Sequence, residues 1–284
     1  MPISSIKNRI TLISPAKINL ALAIYKKKDD GYHSLSSVMQ TLSLADKITV
    51  EEHDLISVTS DFAPCGEDNI CYKAARVFSR YGGARIHIEK KIPLAAGLGG
   101  GSSNAAAVLL ALNRIFGNPL SEERLEKAAL SLGADVPMFL KGGTLMVGGV
   151  GEELSSIKSL ECGIVIIKDG VKASTGEMYK RLDDIGLSDR RKDVKRLAES
   201  IETGDIKNIS SLIFNDFEKV CPCDEIKADL ISSGAYGACL SGSGPSVFGI
   251  FKDLQSAERA ATKLKEKYET VFSCKTENFG IKFE

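Results

Sequence analysis

Residues 93–104 read Pro-Leu-Ala-Ala-Gly-Leu-Gly-Gly-Gly-Ser-Ser-Asn, and four of the five positions from 97 to 101 are glycine. Glycine reaches positive φ at little cost and lets backbone N–H groups approach a ligand closely. Residues 105–110 are rich in helix formers and predict a helix over about 103–116, which Gly117-Asn118-Pro119 ends. A glycine loop that leads into a helix N-terminus predicts a phosphate-binding site.

The loop matches neither of two common nucleotide motifs. No Gly-Lys-Ser/Thr closes it, as the Walker motif requires. Counting Gly97 and Gly99 as the first two glycines of a dinucleotide fingerprint leaves Ser102 at the third. A flexible connector is the remaining alternative, and the clustered glycines with two serines at a helix start disfavour it.

The rest of the chain alternates strand and helix patterns and predicts an α+β sandwich, because paired strands need helices to cover them. We expect two domains, 1–155 and 156–284, with several polar helices between 176 and 233. The periodicity predicts strands over 9–25, 47–51, 84–90, 144–147, 163–168, 236–240, 246–251 and 271–276. Helices are predicted over 68–81, 121–132 and 254–268.

Composition excludes several classes of protein. The chain has 37 Lys+Arg and 37 Asp+Glu, a formal net charge of 0, which argues against nucleic acid or an anionic membrane as partner. Apolar runs are far shorter than the roughly 20 residues that span a bilayer. Residues 1–13 do not resemble a secretory signal. We therefore expect a cytoplasmic protein.

The seven cysteines are odd in number and scattered, which favours reduced thiols over a disulfide framework. Cys221-Pro222-Cys223 has one residue between its thiols and no nearby histidine. It fits neither a zinc site nor a thioredoxin-type pair, so we interpret it as two thiols at a loop or helix entry.

A lysine interrupts an apolar strand in Ser14-Pro15-Ala16-Lys17-Ile18-Asn19-Leu20. Burying an ammonium without a partner is costly, so Lys17 should meet an anion, and Asp135 in Gly133-Ala134-Asp135-Val136-Pro137 is the natural candidate. The pair could be a structural ion pair. Beside a phosphate loop it could also serve phosphoryl transfer, with the carboxylate accepting a hydroxyl proton and the lysine holding charge near the phosphoryl group.

Two further segments carry polar chemistry. Gly31-Tyr32-His33 could be a plain hairpin turn, or it could offer a ring and edge hydrogen bonds to a planar ligand. Ser241-Gly242-Ser243-Gly244 resembles a nucleophile elbow superficially, but position 241 is serine where the G-x-S-x-G motif needs glycine. A serine hydrolase is therefore disfavoured.

Taken together, these segments resemble the GHMP small-molecule kinases over nearly the whole chain. The segments that carry the resemblance are 15–20, 30–33, 97–104, 133–137 and 241–245. The resemblance implies a two-domain α+β sandwich with the active site in the cleft between the domains.

The resemblance also implies roles for individual residues. Asp135 would be the catalytic base and Lys17 its partner, and Asn19 would contact the acceptor near the reacting hydroxyl. The residues implied to bind ATP are Asn69, Leu94, Ala95, Ala96, Gly97, Leu98, Gly99, Gly100, Gly101, Ser102 and Ser103. Those implied to hold a cytosine or the rest of the acceptor are Tyr32, His33, Thr175 and Tyr179. Met39 departs from the family, where a Phe often encloses the substrate. The segment 215–218 is family-like without an assigned catalytic role.

The activity implied is ATP-dependent phosphorylation, with Mg²⁺, of the 2-hydroxyl of a methylerythritol linked to cytidyl diphosphate, in non-mevalonate isoprenoid synthesis. The segment Asp30-Gly31-Tyr32-His33 narrows the resemblance to this acceptor. A GHMP kinase of the homoserine or mevalonate type is the alternative enzyme. A non-catalytic nucleotide sensor is the alternative of another class, and the presence of both Lys17 and Asp135 counts against it. No oligomeric state and no metal ligands follow from the sequence.

Overall fold

Two long antiparallel strands, β1 (Arg9–Lys27) and β2 (His33–His53), form the spine of the fold. The computed structural model describes residues 8–27, 33–63, 65–170, 173–187 and 189–284. Shifts in the β1–β2 register flank the segment that carries Lys17 and Asn19. Such irregularities re-aim side chains out of regular alternation, and here they lie next to the polar residues of β1.

The remaining strands complete two sheets. In chain order they are β3 (Ser57–Ser60), β4 (Gly83–Glu89), β5 (Thr144–Gly148), β6 (Glu153–Ser156), β7 (Gly163–Lys168), β8 (Phe214–Asn215), β9 (Gly237–Leu240), β10 (Ser246–Phe251), β11 (Val271–Lys275) and β12 (Lys282–Phe283). The first sheet has the order β12-β1-β2-β4-β3, with β5 also on β2, β6 on β5 and β8 parallel to β1. The second sheet has the order β11-β7-β10-β9 and is antiparallel.

Helices cover both sheets. In chain order they are α1 (Ile70–Arg76), α2 (Gly100–Ile115), α3 (Glu122–Leu132), α4 (Val136–Lys141), α5 (Thr175–Ile185), α6 (Arg191–Thr203), α7 (Ile206–Leu212), α8 (Asp224–Ser232) and α9 (Leu254–Leu264), with a 3₁₀ turn over Asp216–Lys219. The first four pack their apolar sides with the first sheet. Helix α2 is buried on most of its surface, so its apolar residues do not form a single stripe.

The predicted α+β class is confirmed, with differences at helix ends. The helix predicted over 68–81 ends at Arg76, because from Val77 to Tyr81 the backbone turns on hydrogen bonds three residues apart. Helix α2 begins at Gly100 rather than near Ser103, since Gly99 turns the chain at φ +69° and its carbonyl accepts the Ser103 N–H. Helix α9 ends at Leu264, four residues before the predicted end.

Strand β2 begins earlier than the sequence pattern predicted. Its first half is rich in serine and threonine, and its Ser37, Gln40 and Thr41 are fully buried with hydrogen-bonded side chains. The short helix α4 was also missed, although Pro137 stands within its first turn, where proline is common. In both cases tertiary hydrogen bonds and packing override the local signal.

The chain does not divide cleanly in sequence. The predicted boundary after residue 155 lies within β6 and remains a prediction, but β8 and β12 from the second half return to pair with β1. As expected, all seven cysteines are free, and Cys223 stands at the start of α8. Within the described ranges, no helix has the length and apolar character needed to cross a membrane.

Candidate active site

A cleft of about 1040 Å³ is lined by residues from both halves of the chain. The sequence-predicted residues that line it are Lys17, Asn19, His33, Leu94, Ala95, Ala96, Gly97, Leu98, Gly99, Gly100, Gly101, Ser102, Asp135, Thr175 and Tyr179. Met39, the residue that departs from the family pattern, also lines it and is 3% exposed. The fold thus gathers residues spread over more than 160 positions into one cavity.

The glycine loop takes the conformations that its sequence predicted. Gly97 and Gly99 have φ values of +77° and +69°, which side chains rarely adopt. A Cβ on Gly99 would lie 2.8 Å from the Phe139 ring and 2.9 Å from Cγ of Lys17. The loop therefore lies directly against the lysine side chain and delivers the N-terminus of α2 to the cleft.

The loop also touches the second half of the chain. A Cβ on Gly97 would lie 2.2 Å from the backbone oxygen of Ser241, and the Ser241 hydroxyl donates to the Gly97 carbonyl at 3.1 Å. The Ser246 N–H donates to the Ala96 carbonyl. The turn over residues 241–244, called the serine-glycine turn below, therefore packs against the glycine loop.

Lys17 is 3% exposed, and its ammonium has two partners in the structure. Nζ donates to Asn19 Oδ1 at 2.7 Å and lies 3.4 Å from Oδ2 of Asp135. An ammonium carries three donor hydrogens. A third hydrogen is therefore available to an anion in the cleft, which the glycine loop also lines.

Asp135 stands at the N-terminus of α4, yet its carboxylate makes no capping hydrogen bond. A capping carboxylate normally accepts the N–H of the second or third helical residue. Here the second is Pro137, which has no N–H. The carboxylate, 35% exposed, faces Lys17 and the cleft instead.

Asn19 is more enclosed than a simple substrate contact. It is 1% exposed, its Oδ1 accepts from Lys17 and from the Gly242 N–H at 3.1 Å, and its Nδ2 donates to Ser37 at 2.9 Å. One amide hydrogen remains for a ligand. Contact with the acceptor stays a prediction, while a role in orienting Lys17 is visible in the geometry.

An aromatic group, His33, Tyr179 and Phe217, also lines the cleft. The rings of His33 and Tyr179 stack at 4.9 Å with an 18° angle, and Phe217 meets Tyr179 edge-on at 5.1 Å. Burial, with a smaller contribution from the Asp135 charge, raises the pKa of Tyr179 to about 12, so its phenol remains protonated. Tyr32, predicted to lie opposite Tyr179 across a base, is outside the described residues.

His33 has a defined hydrogen-bonding geometry. Its Nδ1 lies 2.7 Å from the Tyr25 carbonyl, so that nitrogen carries a hydrogen, and Nε2 lies 3.4 Å from Oδ2 of Asp183. In the neutral ring Nε2 is an acceptor, and in the charged ring it is a donor. Thr175, at the start of α5, lies 3.2 Å from the Ser243 hydroxyl and links α5 to the serine-glycine turn.

Two predicted ATP contacts lie elsewhere. The Ser103 side chain is fully buried, lies 2.7 Å from Ser14 Oγ, and belongs to a core network in which Ser14 donates to Asn104 Oδ1. Its backbone N–H donates to the Gly99 carbonyl inside the helix, and its predicted contact with phosphate remains a prediction. Asn69 caps α1 by accepting the Cys71 N–H at 2.8 Å, and its neighbour Ile70 lines the cleft. Its proximity to a nucleoside remains a prediction.

The structure adds residues that the sequence analysis did not select. Lys90 lines the cleft at the end of β4, with its Nζ 2.6 Å from the fully buried Asp46. A charged residue at the end of an apolar strand is the signal that could have found it. Lys180, Asp183 and Phe217 also line the cleft, but their sequence surroundings are those of ordinary helix and turn residues.

Family models place this architecture in a class. The model described as "GHMP kinases N terminal domain" matches residues 69–143, and "GHMP kinases C terminal" matches residues 197–270. Together they account for just over half of the sequence. The chain belongs to the GHMP kinases, a family of ATP-dependent small-molecule kinases.

Two relatives of this chain, each matched over nearly its whole length, have the same name. A 4-diphosphocytidyl-2-C-methyl-D-erythritol kinase of Clostridioides difficile is 40% identical, covering 96% of this chain and 97% of the relative. One of Thermoanaerobacter pseudethanolicus is 36% identical, covering 96% and 98%. A crystal structure of 4-(cytidine 5'-diphospho)-2C-methyl-D-erythritol kinase matches with a TM-score of 0.79 at 31% identity, covering 94% of this chain and 99% of the other.

Proposed function

We propose that the protein transfers the γ-phosphoryl group of ATP to the 2-hydroxyl of 4-diphosphocytidyl-2-C-methyl-D-erythritol, giving the 2-phosphate and ADP. The observation that carries the proposal is one cleft in which the glycine loop, the Lys17–Asp135 pair and an aromatic group meet. The relatives named as kinases of this acceptor match nearly the whole chain. The His33, Tyr179 and Phe217 rings of the cleft offer a place for a nucleobase.

Proton transfer is assigned to Asp135. As the acceptor oxygen bonds to the γ-phosphorus and the bond to the ADP oxygen breaks, the hydroxyl proton passes to the Asp135 carboxylate. The ammonium of Lys17, 3.4 Å away, keeps that carboxylate oriented and offers its remaining hydrogen to phosphoryl oxygens. Asp135 is partly exposed and Lys17 is buried, which suits an exchanging base beside a fixed charge.

The phosphates of ATP are assigned to the glycine loop and the N-terminus of α2. Backbone N–H groups at a helix start, together with the helix dipole, favour negative charge. The described residues contain no cluster of three metal-ligating side chains. Mg²⁺ bound through nucleotide phosphates needs few protein ligands, and the Ser102 hydroxyl, which lines the cleft at this point, fits that requirement. Bound there, Mg²⁺ would neutralise the phosphate charge that develops during transfer.

The cytosine is assigned to the part of the cleft lined by His33 and Tyr179. Base stacking on an aromatic ring contributes about 1 to 3 kcal/mol by alanine substitution. The Asp183 carboxylate, 3.4 Å from His33 Nε2 in the cleft, presents acceptors that suit the exocyclic amine of cytosine and not the carbonyl of uracil. The pocket would then discriminate between the two bases, because the wrong base leaves buried polar groups unpaired.

The proposed function is tested by measuring ADP release with three acceptors in parallel: 4-diphosphocytidyl-2-C-methylerythritol, homoserine and mevalonate. We expect turnover with the first and none above background with the others. Phosphorylation of homoserine or mevalonate with no activity on the cytidyl compound would overturn the assignment and leave a GHMP kinase with another acceptor.

Competition tests the nucleobase separately. CMP or CDP should inhibit competitively against the acceptor, and UMP far less. Tyr179→Ala should raise the acceptor KM and remove most of the difference between the bases, with little change in the KM for ATP. Equal inhibition by CMP and UMP in the unaltered protein would contradict cytosine recognition.

A further inference from the structure

A buried asparagine outside the cleft holds the serine-glycine turn. Asn215 is 3% exposed, and its Nδ2 donates both hydrogens, to the Leu240 carbonyl at 2.9 Å and to the Gly242 carbonyl at 2.8 Å. Its Oδ1 accepts the Phe217 N–H at 3.0 Å. Every hydrogen-bonding group of this amide is used near its ideal distance, so its orientation is fixed.

Gly242, whose carbonyl accepts from Asn215, uses its own N–H to bond Asn19, the partner of Lys17. The Gly242 N–H donates to Asn19 Oδ1 at 3.1 Å, and Gly242 has a φ of +56°. A Cβ on this residue would lie 3.0 Å from the Gly97 carbonyl oxygen and 3.5 Å from Nζ of Lys17. The Gly242 carbonyl is therefore held by Asn215, and its N–H is held by Asn19, beside the lysine.

Asn19 connects Gly242 to the Lys17 ammonium, because its Oδ1 accepts from both. The Ser37 hydroxyl donates to the Ala21 carbonyl at 2.6 Å, so it accepts from Asn19 Nδ2. That contact turns Asn19 Oδ1 toward both the Gly242 N–H and Lys17 Nζ. A continuous series of hydrogen bonds thus runs from Asn215 through Gly242 and Asn19 to Lys17.

We propose that Asn215 is a positioning residue for phosphoryl transfer, acting through Gly242 and Asn19 to hold the Lys17 ammonium in place. Asn215 is not among the residues that line the cleft. Because β8 pairs with β1 at Leu22 and Asn215, the second half of the chain is anchored to the strand that carries the lysine. The inference rests on the proposed function for the acceptor used in its assay.

The test is Asn215→Asp, which keeps the shape and the Phe217 contact and replaces the two donated hydrogens by an oxygen that faces two carbonyls. We expect kcat to fall about 10- to 100-fold, the effect of a misplaced catalytic group. The KM values for ATP and the acceptor should change far less. Asn215→Ala removes the donors without adding charge and serves the same test if the aspartate variant does not fold.

Asn113→Asp is the matched control. Asn113 is also buried and lies away from the cleft. Its Nδ2 donates to the Leu120 carbonyl at 3.1 Å, and its Oδ1 accepts the Leu120 N–H at 3.0 Å. We expect this variant to lower the melting temperature and keep kcat. A kcat loss equal to that of the Asn215 variants would show that lost stability alone is responsible, and would overturn the proposal.

A double-mutant cycle with Asn19→Ala tests the route. If Asn215 acts through Asn19, its substitution should cause little further loss of kcat once Asn19 is removed. Fully additive losses, or a folded Asn215 variant with unchanged kcat, would overturn the positioning role. Absence of turnover in the unaltered protein would instead contradict the proposed acceptor, so the two failures are distinguishable.

Discussion

At the scale of single residues, the site depends on which polar groups the backbone leaves unused. Asp135 would ordinarily cap its helix, but Pro137 removes one of the two usual donors, the Asp135 backbone is itself helical, and the carboxylate is left for the cleft. Ser103 shows the reverse case, since its hydroxyl is taken by Ser14 inside the core. Residue type alone does not distinguish the two cases, because both are polar side chains at helix N-termini.

Asp135→Asn keeps the shape of the side chain and removes the proton acceptor. We expect kcat to fall by about 10²- to 10⁴-fold, the usual contribution of general acid–base catalysis. Binding of a non-hydrolysable ATP analogue, measured by calorimetry, should hardly change. Near-normal turnover would remove Asp135 from the mechanism.

The cysteines should differ strongly in reactivity. Burial raises the pKa of Cys71, Cys162 and Cys274 to about 12, so at pH 8 almost no thiolate forms at these positions. Cys65 is exposed and should react first with iodoacetamide. Peptide mapping after a short native reaction checks this, with urea-unfolded protein as the control in which all seven thiols react. Labelling of Cys71 as fast as Cys65 in the native protein would contradict the burial argument.

At the scale of elements, the glycine loop and α2 act as one device. The loop has three residues at positive φ, Ala95, Gly97 and Gly99, as it brings the helix N-terminus to the cleft, and Gly99 packs against Lys17 and Phe139. The outer side is open, since a Cβ on Gly101 would meet nothing closer than Ile70 at 3.8 Å. The role of Gly99, which shapes the loop, can therefore be tested separately from the role of Gly101, whose missing side chain leaves room for a ligand.

Gly99→Ala and Gly101→Ala make that comparison. Gly99→Ala should lower both the melting temperature and kcat, because its Cβ collides with Phe139 and Lys17. Gly101→Ala should keep the fold and weaken binding of an ATP analogue, because the added methyl group lies at the exposed helix start. Calorimetry and thermal melting of both variants test this. An unchanged affinity in Gly101→Ala would indicate that phosphates do not approach this residue.

At the scale of the whole molecule, the two halves are joined by strands as well as by the cleft. Strands β8 and β12 come from the second half and pair with β1, and one core cluster contains residues of β1, β7 and α6. The glycine loop also packs against the serine-glycine turn. Two domains that share a sheet and a core should unfold together.

The full chain should therefore unfold in a single thermal transition, with equal calorimetric and van 't Hoff enthalpies. A fragment of residues 1–155 lacks β8 and β12, leaves the outer edge of β1 unpaired and exposes core surface, so it should not fold to a stable monomer. Circular dichroism and sedimentation of the fragment provide the check. A fragment that folds and melts cooperatively would support a real domain boundary near residue 155.

The sequence alone determined the class of the fold, the turning glycines of the glycine loop and the need of Lys17 for an anionic partner, because a glycine cluster and a charge within an apolar strand can be recognised from neighbouring residues. The tertiary structure alone decided that Ser103 belongs to the core, that His33 stacks on Tyr179, and that Asn215 reaches Lys17 through Gly242. These contacts join residues far apart in the chain. A local pattern shows which groups need partners, whereas long-range packing determines which partners they find.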